Sequence, residues 1–274
     1  MSEQLSPVPL RLRSYLAPNM FYLYESIASR FAHILQTDTN FDQSPCDALD
    51  DPDLRNGQID IAFICELPLV RLQNDGVHLS AFSAPILEDS RSNGRPVYFA
   101  DVIVQSDRSQ YQHLKDLEGA SFCYNDIDSN SGHHLLRHHL MQEGYNAPFF
   151  NRTMASDSHQ QSIQFVLDGV IDCAAIDSAV LAEARRKDST LAIRLCIVES
   201  VGPCPIPPIA MTNPNLQQWI PIFQQALTKP DPTLQRIMNQ AGIHAVVPVS
   251  NMDYMPTLDL FLRAERANYR IIDV

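Results

Sequence analysis

The chain is poor in the features that usually announce a function. It has nine glycines in 274 residues. No GxGxxG or GxxxxGK[ST] pattern occurs, which excludes a glycine loop wrapped around a nucleotide phosphate chain. Positive charge is scarce: 20 Lys and Arg stand against 32 Asp and Glu, a formal net charge of -12. Binding to nucleic acid or an anionic membrane needs clustered cations. The longest basic run, Arg185-Arg186-Lys187, reads as a helix end, so nucleic acid is not an expected partner. No apolar run approaches the roughly 20 residues that cross a bilayer. There is no CxxC, GxSxG or HExxH, and no metal or cofactor is expected. Met1 to Arg13 carries Glu3, Arg11 and Arg13 without an apolar core, unlike a signal peptide, and a cytoplasmic location is the expectation. The six cysteines are read as free thiols, with Cys65, Cys123, Cys173 and Cys196 set in apolar runs as small core residues.

What is present is an alternation of short β-branched runs with helical patterns. Strands are expected at Leu10 to Leu16, Ile59 to Cys65, Val77 to Ile86, Val97 to Val104, Ser121 to Tyr124, Ile171 to Ile176, Leu191 to Val198 and His244 to Val249. Helices are expected at Asn19 to Leu35, Gly132 to Gln142, Ser158 to Leu167, Ser178 to Arg186, Leu216 to Leu227, Thr233 to Gln240 and Tyr254 to Ala267. The polar stretch Thr37 to Asp53 reads as a loop. Buried strands alternating with helices imply an α/β protein with mostly parallel sheets flanked by helices. Extended crossings near Tyr98 to Gln105 and Glu199 to Pro208 divide it: residues 1–100 and 201–274 form one domain, 101–200 an inserted second, with a small-ligand cleft expected between them.

Three features could carry chemistry. Asp126-Ile127-Asp128-Ser129-Asn130-Ser131-Gly132 stacks helix-capping residues at one helix start. Unpaired backbone N–H groups and the positive end of the dipole favour an anion there, although an ordinary capped helix has the same residues. Ser156-Asp157-Ser158-His159 opens another helix, where His159 could donate to an anion. Asp177 and Glu66 each stand at a strand exit, where α/β proteins build sites, and Asp177 reads equally well as an N-cap. His134 and His138 are spaced i, i+4 but lack a third ligand, so no metal site is assigned.

These residues also resemble a known family. "VYFADVIV" (Val97 to Val104), "LKDLEG" (Leu114 to Gly119) and the Ser129-Asn130-Ser131-Gly132 loop look like phosphonate- and phosphite-type solute-binding proteins of ABC importers. So do "SDSHQQSIQFVLDGVIDCAAID" (Ser156 to Asp177), "IDIAFICELPLV" (Ile59 to Val70) and "GPCPIPPIAM" (Gly202 to Met211). The resemblance implies the type II periplasmic-binding-protein, or Venus flytrap, architecture and a phosphonate-, phosphite- or phosphate-like oxyanion as ligand. It implies signalling by domain closure, with an importer permease or, for a cytoplasmic protein, a regulator as partner. Family members are usually periplasmic or lipid-anchored. The resemblance carries ligand contact onto Tyr98, Ser129, Asn130, Ser131 and His159. Asn130 stands where the family has Thr, and Pro207 where some members have a carboxylate, so the resemblance carries the anion cradle and not the aminoalkyl pocket.

Two other readings compete. An enzyme on the same fold, as in menaquinone- and thiamine-pathway proteins, would use His159 with Asp177 or Glu66 for acid–base work. A non-binding interaction module would use none of them. Without a nucleophile–base pair or cofactor motif in the sequence, the binding-protein reading stands ahead of the enzyme.

Overall fold

A computed structural model of the chain describes residues 9–271, so most of the stretch read for a signal peptide, residues 1–8, lies outside it. The elements in chain order are β1 (Leu10–Ser14), α1 (Phe21–Leu35), β2 (Thr39–Gln43), α2 (Pro52–Arg55), β3 (Ile61–Phe63), α3 (Glu66–Asn74), β4 (Ser80–Leu87), β5 (Val97–Gln105) and β6 (Ser121–Tyr124). There follow a π-helical turn (Asn130–His134), α4 (Leu135–Gln142), β7 (Arg152–Ala155), α5 (His159–Leu167), β8 (Cys173–Asp177), α6 (Ser178–Lys187), α7 (Leu191–Arg194) and β9 (Leu195–Pro205). The chain ends with β10 (Ile209–Met211), α8 (Ile220–Thr228), α9 (Pro232–Gln240), β11 (Ile243–Pro248) and α10 (Met255–Arg266).

The chain forms two compact units. The first takes residues up to Pro96 and Ile206–Asp253; the second takes Val97–Pro205 and everything from Tyr254 onward. The final helix therefore does not belong with the first domain, where the expected division of 201–274 puts it. Amphipathic periodicity says that α10 has a face to bury but not against what. The partner is α4, whose buried Arg137 donates to the carbonyls of Ala264 and Tyr269, 3.2 and 2.6 Å away, and pairs with the Glu265 carboxylate. A guanidinium set on one carbonyl in the last turn of a helix and one just beyond it complements the negative end of the helix.

The first unit is a six-stranded sheet ordered β11-β4-β10-β3-β1-β2. β1 pairs in parallel with β2 and β3, while β10 and β11 pair antiparallel with their neighbours, so four strands share one direction. Its core centres on Phe31, stacked on Phe223 at 4.2 Å and packed near Phe82. The stretch read as a loop from Thr37 to Asp53 contains the edge strand β2, whose polar sequence TNFDQ shows no apolar alternation. Backbone pairing to β1 holds it, as does Arg13, which donates to Asp42, Asp51 and Asp53.

The second unit is a five-stranded sheet ordered β7-β6-β8-β5-β9. β6 pairs in parallel with β7 and β8, and β5 pairs antiparallel with β8 and β9, so four of its strands also share one direction. Most strands in each sheet are thus co-directional and flanked by helices, with antiparallel pairs where the chain re-enters. Phe150, stacked on Phe122 at 4.6 Å and edge-on to Phe149, anchors the core beneath β6. Residues 191–194, read as the start of a strand, form the helical turn α7, and pairing with β5 begins only at Leu195. Cys196, expected in the core, is exposed and Cys65 half-buried, while Cys123, Cys173 and Cys204 are buried; none of the six forms a disulfide among the described residues.

Candidate functional site

Parallel pairing places the carboxyl ends of β6, β7 and β8 along one edge of the second sheet. Tyr124 lies opposite Ala155, and the Ser156 N–H continues the ladder to the Tyr124 carbonyl at 2.9 Å. Each strand exits directly into a helix start, and loops at such an edge are where α/β proteins hold ligands.

From β6 the chain runs into the π-helical turn. Ser129 is its N-cap, and its Oγ accepts from the Gly132 N–H at 3.1 Å. The N–H groups of His133 and His134 both reach the Ser129 carbonyl, which widens the first turn. The Ser131 N–H has no hydrogen-bond partner among the described residues. Gly132 lies against a neighbouring side chain: a Cβ there would stand 1.8 Å from Asn125 Oδ1 and 3.2 Å from Ser129 Oγ, so Asn125 would have to shift.

From β7 the chain turns through Asp157, a non-glycine residue at φ +65°, into α5. Ser158 caps this helix by accepting from the Gln161 N–H at 3.1 Å. Ser156 Oγ sits under the turn, 2.6 Å from Ser162 Oγ. The first residue of α5 is His159, only 6% exposed. Its Nε2 shares a hydrogen bond of 3.0 Å with Ser131 Oγ, while Nδ1 is buried without a hydrogen-bond partner among the described residues. Burial alone pushes its pKa down to about 4, so the ring is neutral at physiological pH. The backbone N–H groups of His159 and Gln160 also lack partners among the described residues.

The Ser131–His159 contact therefore sets two helix starts side by side. Each carries roughly half a positive charge from aligned peptide dipoles, and their mutual repulsion is relieved by an anion. The donors are neutral hydroxyl, imidazole and amide groups, so a chain of net charge -12 can present such a site without a cationic patch.

Tyr98 and Asn130 have a different arrangement. Asn130 Nδ2 donates to Tyr98 Oη at 3.0 Å and to Cys204 Sγ at 3.4 Å, all three groups being buried. Cys204 Sγ is 3.8 Å from Thr257 Oγ1 on α10. These four side chains form a floor under the turn, and Asn130 and Tyr98 face one another in it. Asp177 is the N-cap of α6, accepting from the Ala179 N–H at 2.7 Å. Glu66 belongs to the first unit, where it is buried at the start of α3. Sequence reasoning passed over Asn125, Cys204 and Thr257; nothing in the string marks them, because each gains its meaning from a neighbour brought in by the fold.

His134 stacks edge-on against Phe261 of α10 at 4.9 Å and against His133 at 4.7 Å, so the histidine run packs the turn onto α10. Among the described residues no group of three potential ligands could hold a metal, and no helix is long and apolar enough to cross a membrane.

Two units of this topology, each with helix starts at a sheet edge, define a type II periplasmic-binding-protein fold, and known structures agree. A binding-protein component of an ABC phosphonate transporter from Pseudomonas aeruginosa is similar over 95% of this chain and 88% of its own, with TM-score 0.80 and 16% identity. PhnD1 from Prochlorococcus marinus, in complex with methylphosphonate, is similar over 95% of this chain and 98% of its own (TM-score 0.78, 12% identity). The periplasmic aliphatic sulphonate binding protein SsuA from Escherichia coli is similar over 95% and 89% (TM-score 0.63, 16% identity). No curated protein matches the sequence. The family model for the phosphonate ABC transporter periplasmic substrate-binding protein matches residues 52–254, and the chain belongs to that family. Because that family is periplasmic by description, nothing supports the cytoplasmic expectation.

Proposed function

We propose that this substrate-binding protein captures a small tetrahedral oxyanion, a phosphonate, phosphite or phosphate, at the paired helix starts of its second unit, and delivers it to the permease of an ABC importer. The observation that carries the reading is the Ser131–His159 contact. In the tautomer that carries its proton on Nε2, the neutral imidazole donates to Ser131 Oγ and turns the hydroxyl proton outward toward the anion. Ser129 keeps its own hydroxyl proton while accepting from Gly132, and the Ser131 N–H adds a backbone donor. Such preorganised donors need no rearrangement to receive charge, which lowers the cost of binding.

The same pair superficially offers a nucleophile and a base. A base held near pKa 4 has little affinity for a serine proton at neutral pH. Among the described residues no carboxylate hydrogen-bonds His159 Nδ1 to fix the tautomer and steady an imidazolium. Both points favour binding over hydrolysis.

The test is thermal denaturation against phosphate, phosphite, methylphosphonate, sulfate and small carboxylates. A ligand at a hundred times its Kd adds about 2.7 kcal/mol of stability. A shift with a phosphorus oxyanion that Ser131→Ala removes supports the reading. No shift with any of them, or a shift that survives Ser131→Ala, overturns it.

A further inference from the structure

The fold leaves the tautomer of His159 open. Where a histidine has one ring nitrogen tied to a carboxylate or a carbonyl, that bond decides which nitrogen carries the proton. Here Nδ1 has no hydrogen-bond partner among the described residues, although His159 is only 6% exposed. The contact the ring does make, 3.0 Å from Nε2 to Ser131 Oγ, can run in either direction, because a hydroxyl both donates and accepts. The two directions offer a ligand opposite things. With the ring proton on Nε2, Ser131 presents its own proton. With the ring proton on Nδ1, Ser131 donates to Nε2 and presents a lone pair. The groups beside the pair are less adaptable. The backbone N–H groups of Ser131, His159 and Gln160 only donate, and Ser129 Oγ already accepts from the Gly132 N–H.

A phosphate or phosphonate gives up its last proton close to neutral pH, so its monoanion and dianion coexist there. A cradle of donors alone would set one of them against the P–OH proton of the monoanion and favour the dianion. We infer that the Ser131–His159 pair lets the site hold a phosphorus oxyanion in both ionisation states, the imidazole taking the tautomer that complements the ligand's proton. The inference rests on the anion site proposed above. Against the dianion, His159 Nε2–H donates to Ser131 Oγ and the Ser131 hydroxyl donates to the ligand. Against the monoanion, the Ser131 hydroxyl donates to Nε2 and its oxygen accepts from the P–OH. The change of tautomer gives up the proton on one ring nitrogen and takes one up on the other through water, and the hydroxyl turns by rotation, so the ring stays neutral in both. The surroundings hold it so. The turn carries His133 and His134, and α5 packs on β5, β6 and β8, whose titratable groups are Tyr98, Asp101, Cys123, Tyr124, Cys173 and Asp177. None of these contributes to the lowered pKa of His159, which burial alone causes.

The experiment is calorimetric titration of the full chain with methylphosphonate from about pH 6 to about pH 8.5, with nitrogen NMR of the imidazoles at both ends of that range. The His159 signals are identified by their loss in His159→Asn and followed through the titration of wild-type protein. The dissociation constant is expected to stay within about threefold across the range, whereas a site restricted to one ionisation state loses about tenfold for each pH unit beyond the ligand's own ionisation. In the complex the ring is expected to carry its proton on Nε2 at the alkaline end and on Nδ1 at the acidic end. One tautomer at both ends, an imidazolium at either, or an affinity that follows a single ionisation state overturns the inference and leaves the anion site standing. Wild-type protein that binds methylphosphonate at no pH, or Ser131→Ala protein that binds it undiminished, brings down the anion site and this inference with it.

Discussion

Ser131 Oγ and His159 Nε2 stand 3.0 Å apart, and through that contact the first turns of two helices leaving adjacent parallel strands share one buried spot. The imidazole in it is neutral, and its neutrality has a consequence for stability. Burial holds His159 at a pKa of about 4, and burial reinforced by Arg137 does the same for His133. In the unfolded chain both titrate near 6.5, so between pH 6.5 and 4 the unfolded state binds more protons. Their contribution is complete above pH 6.5 and is lost as pH falls toward 4. Urea denaturation of the ligand-free protein should therefore show stability falling by on the order of 3 kcal/mol per histidine across that range, with His159→Asn flattening the profile. A profile level from pH 7 to 4.5 would refute the burial of both rings.

Gly132 is where a side chain would meet Asn125. A Cβ would lie 1.8 Å from Asn125 Oδ1, so Gly132→Ala has to displace Asn125 or open the turn. The expected result is loss of oxyanion affinity by tenfold or more, with a stability cost of only about 1–3 kcal/mol. Titration calorimetry beside thermal denaturation checks both numbers, and an alanine variant of wild-type affinity would separate the turn from ligand binding.

Arg137 ties α10 to α4. Replacing it with Met removes the donors to the Ala264 and Tyr269 carbonyls and leaves Glu265 without its partner. A loss of about 2–3 kcal/mol is expected, concentrated in one element. Hydrogen exchange should quicken across residues 255–266 well before it does in β6 or β8; uniform quickening would contradict a local clamp.

Arg13 is surrounded by Asp42, Asp51 and Asp53, and Tyr15 donates to the buried Asp51 at 2.6 Å. Arg13→Met leaves three carboxylates facing one another at the sheet edge. The pairing with Arg13 and Tyr15 holds the Asp51 carboxyl below the usual range despite its burial, so the pair stabilises the fold above the ordinary carboxylate pKa. Destabilisation of about 2–4 kcal/mol is expected at pH 7, shrinking as the acids protonate toward pH 4. Parallel denaturation series at the two pH values would show it, and an equal loss at both would point to packing instead of charge.

Much of the local structure was legible in the string. The strand read at Ser121 to Tyr124 has those bounds in the structure, and the helix read from Ser158 begins at His159 behind a Ser158 cap. Runs of apolar β-branched residues and side-chain caps act over a few residues, so a sequence displays them directly. β2 was hidden because an edge strand needs only backbone partners and shows no apolar alternation.

The sequence by itself determined the alternation of strands and helices, the two capped helix starts and, through the motifs of its family, the class of protein. Tertiary structure alone decided that Ser131 meets His159 across 28 residues, that Asn130 turns to Tyr98 and Cys204, and that α10 closes onto α4 in the second unit. The reason is range. A cap or a hydrophobic period is written within one turn or one strand, whereas the first two contacts follow from sheet order, β7-β6-β8-β5-β9, and the third from helix packing through Arg137.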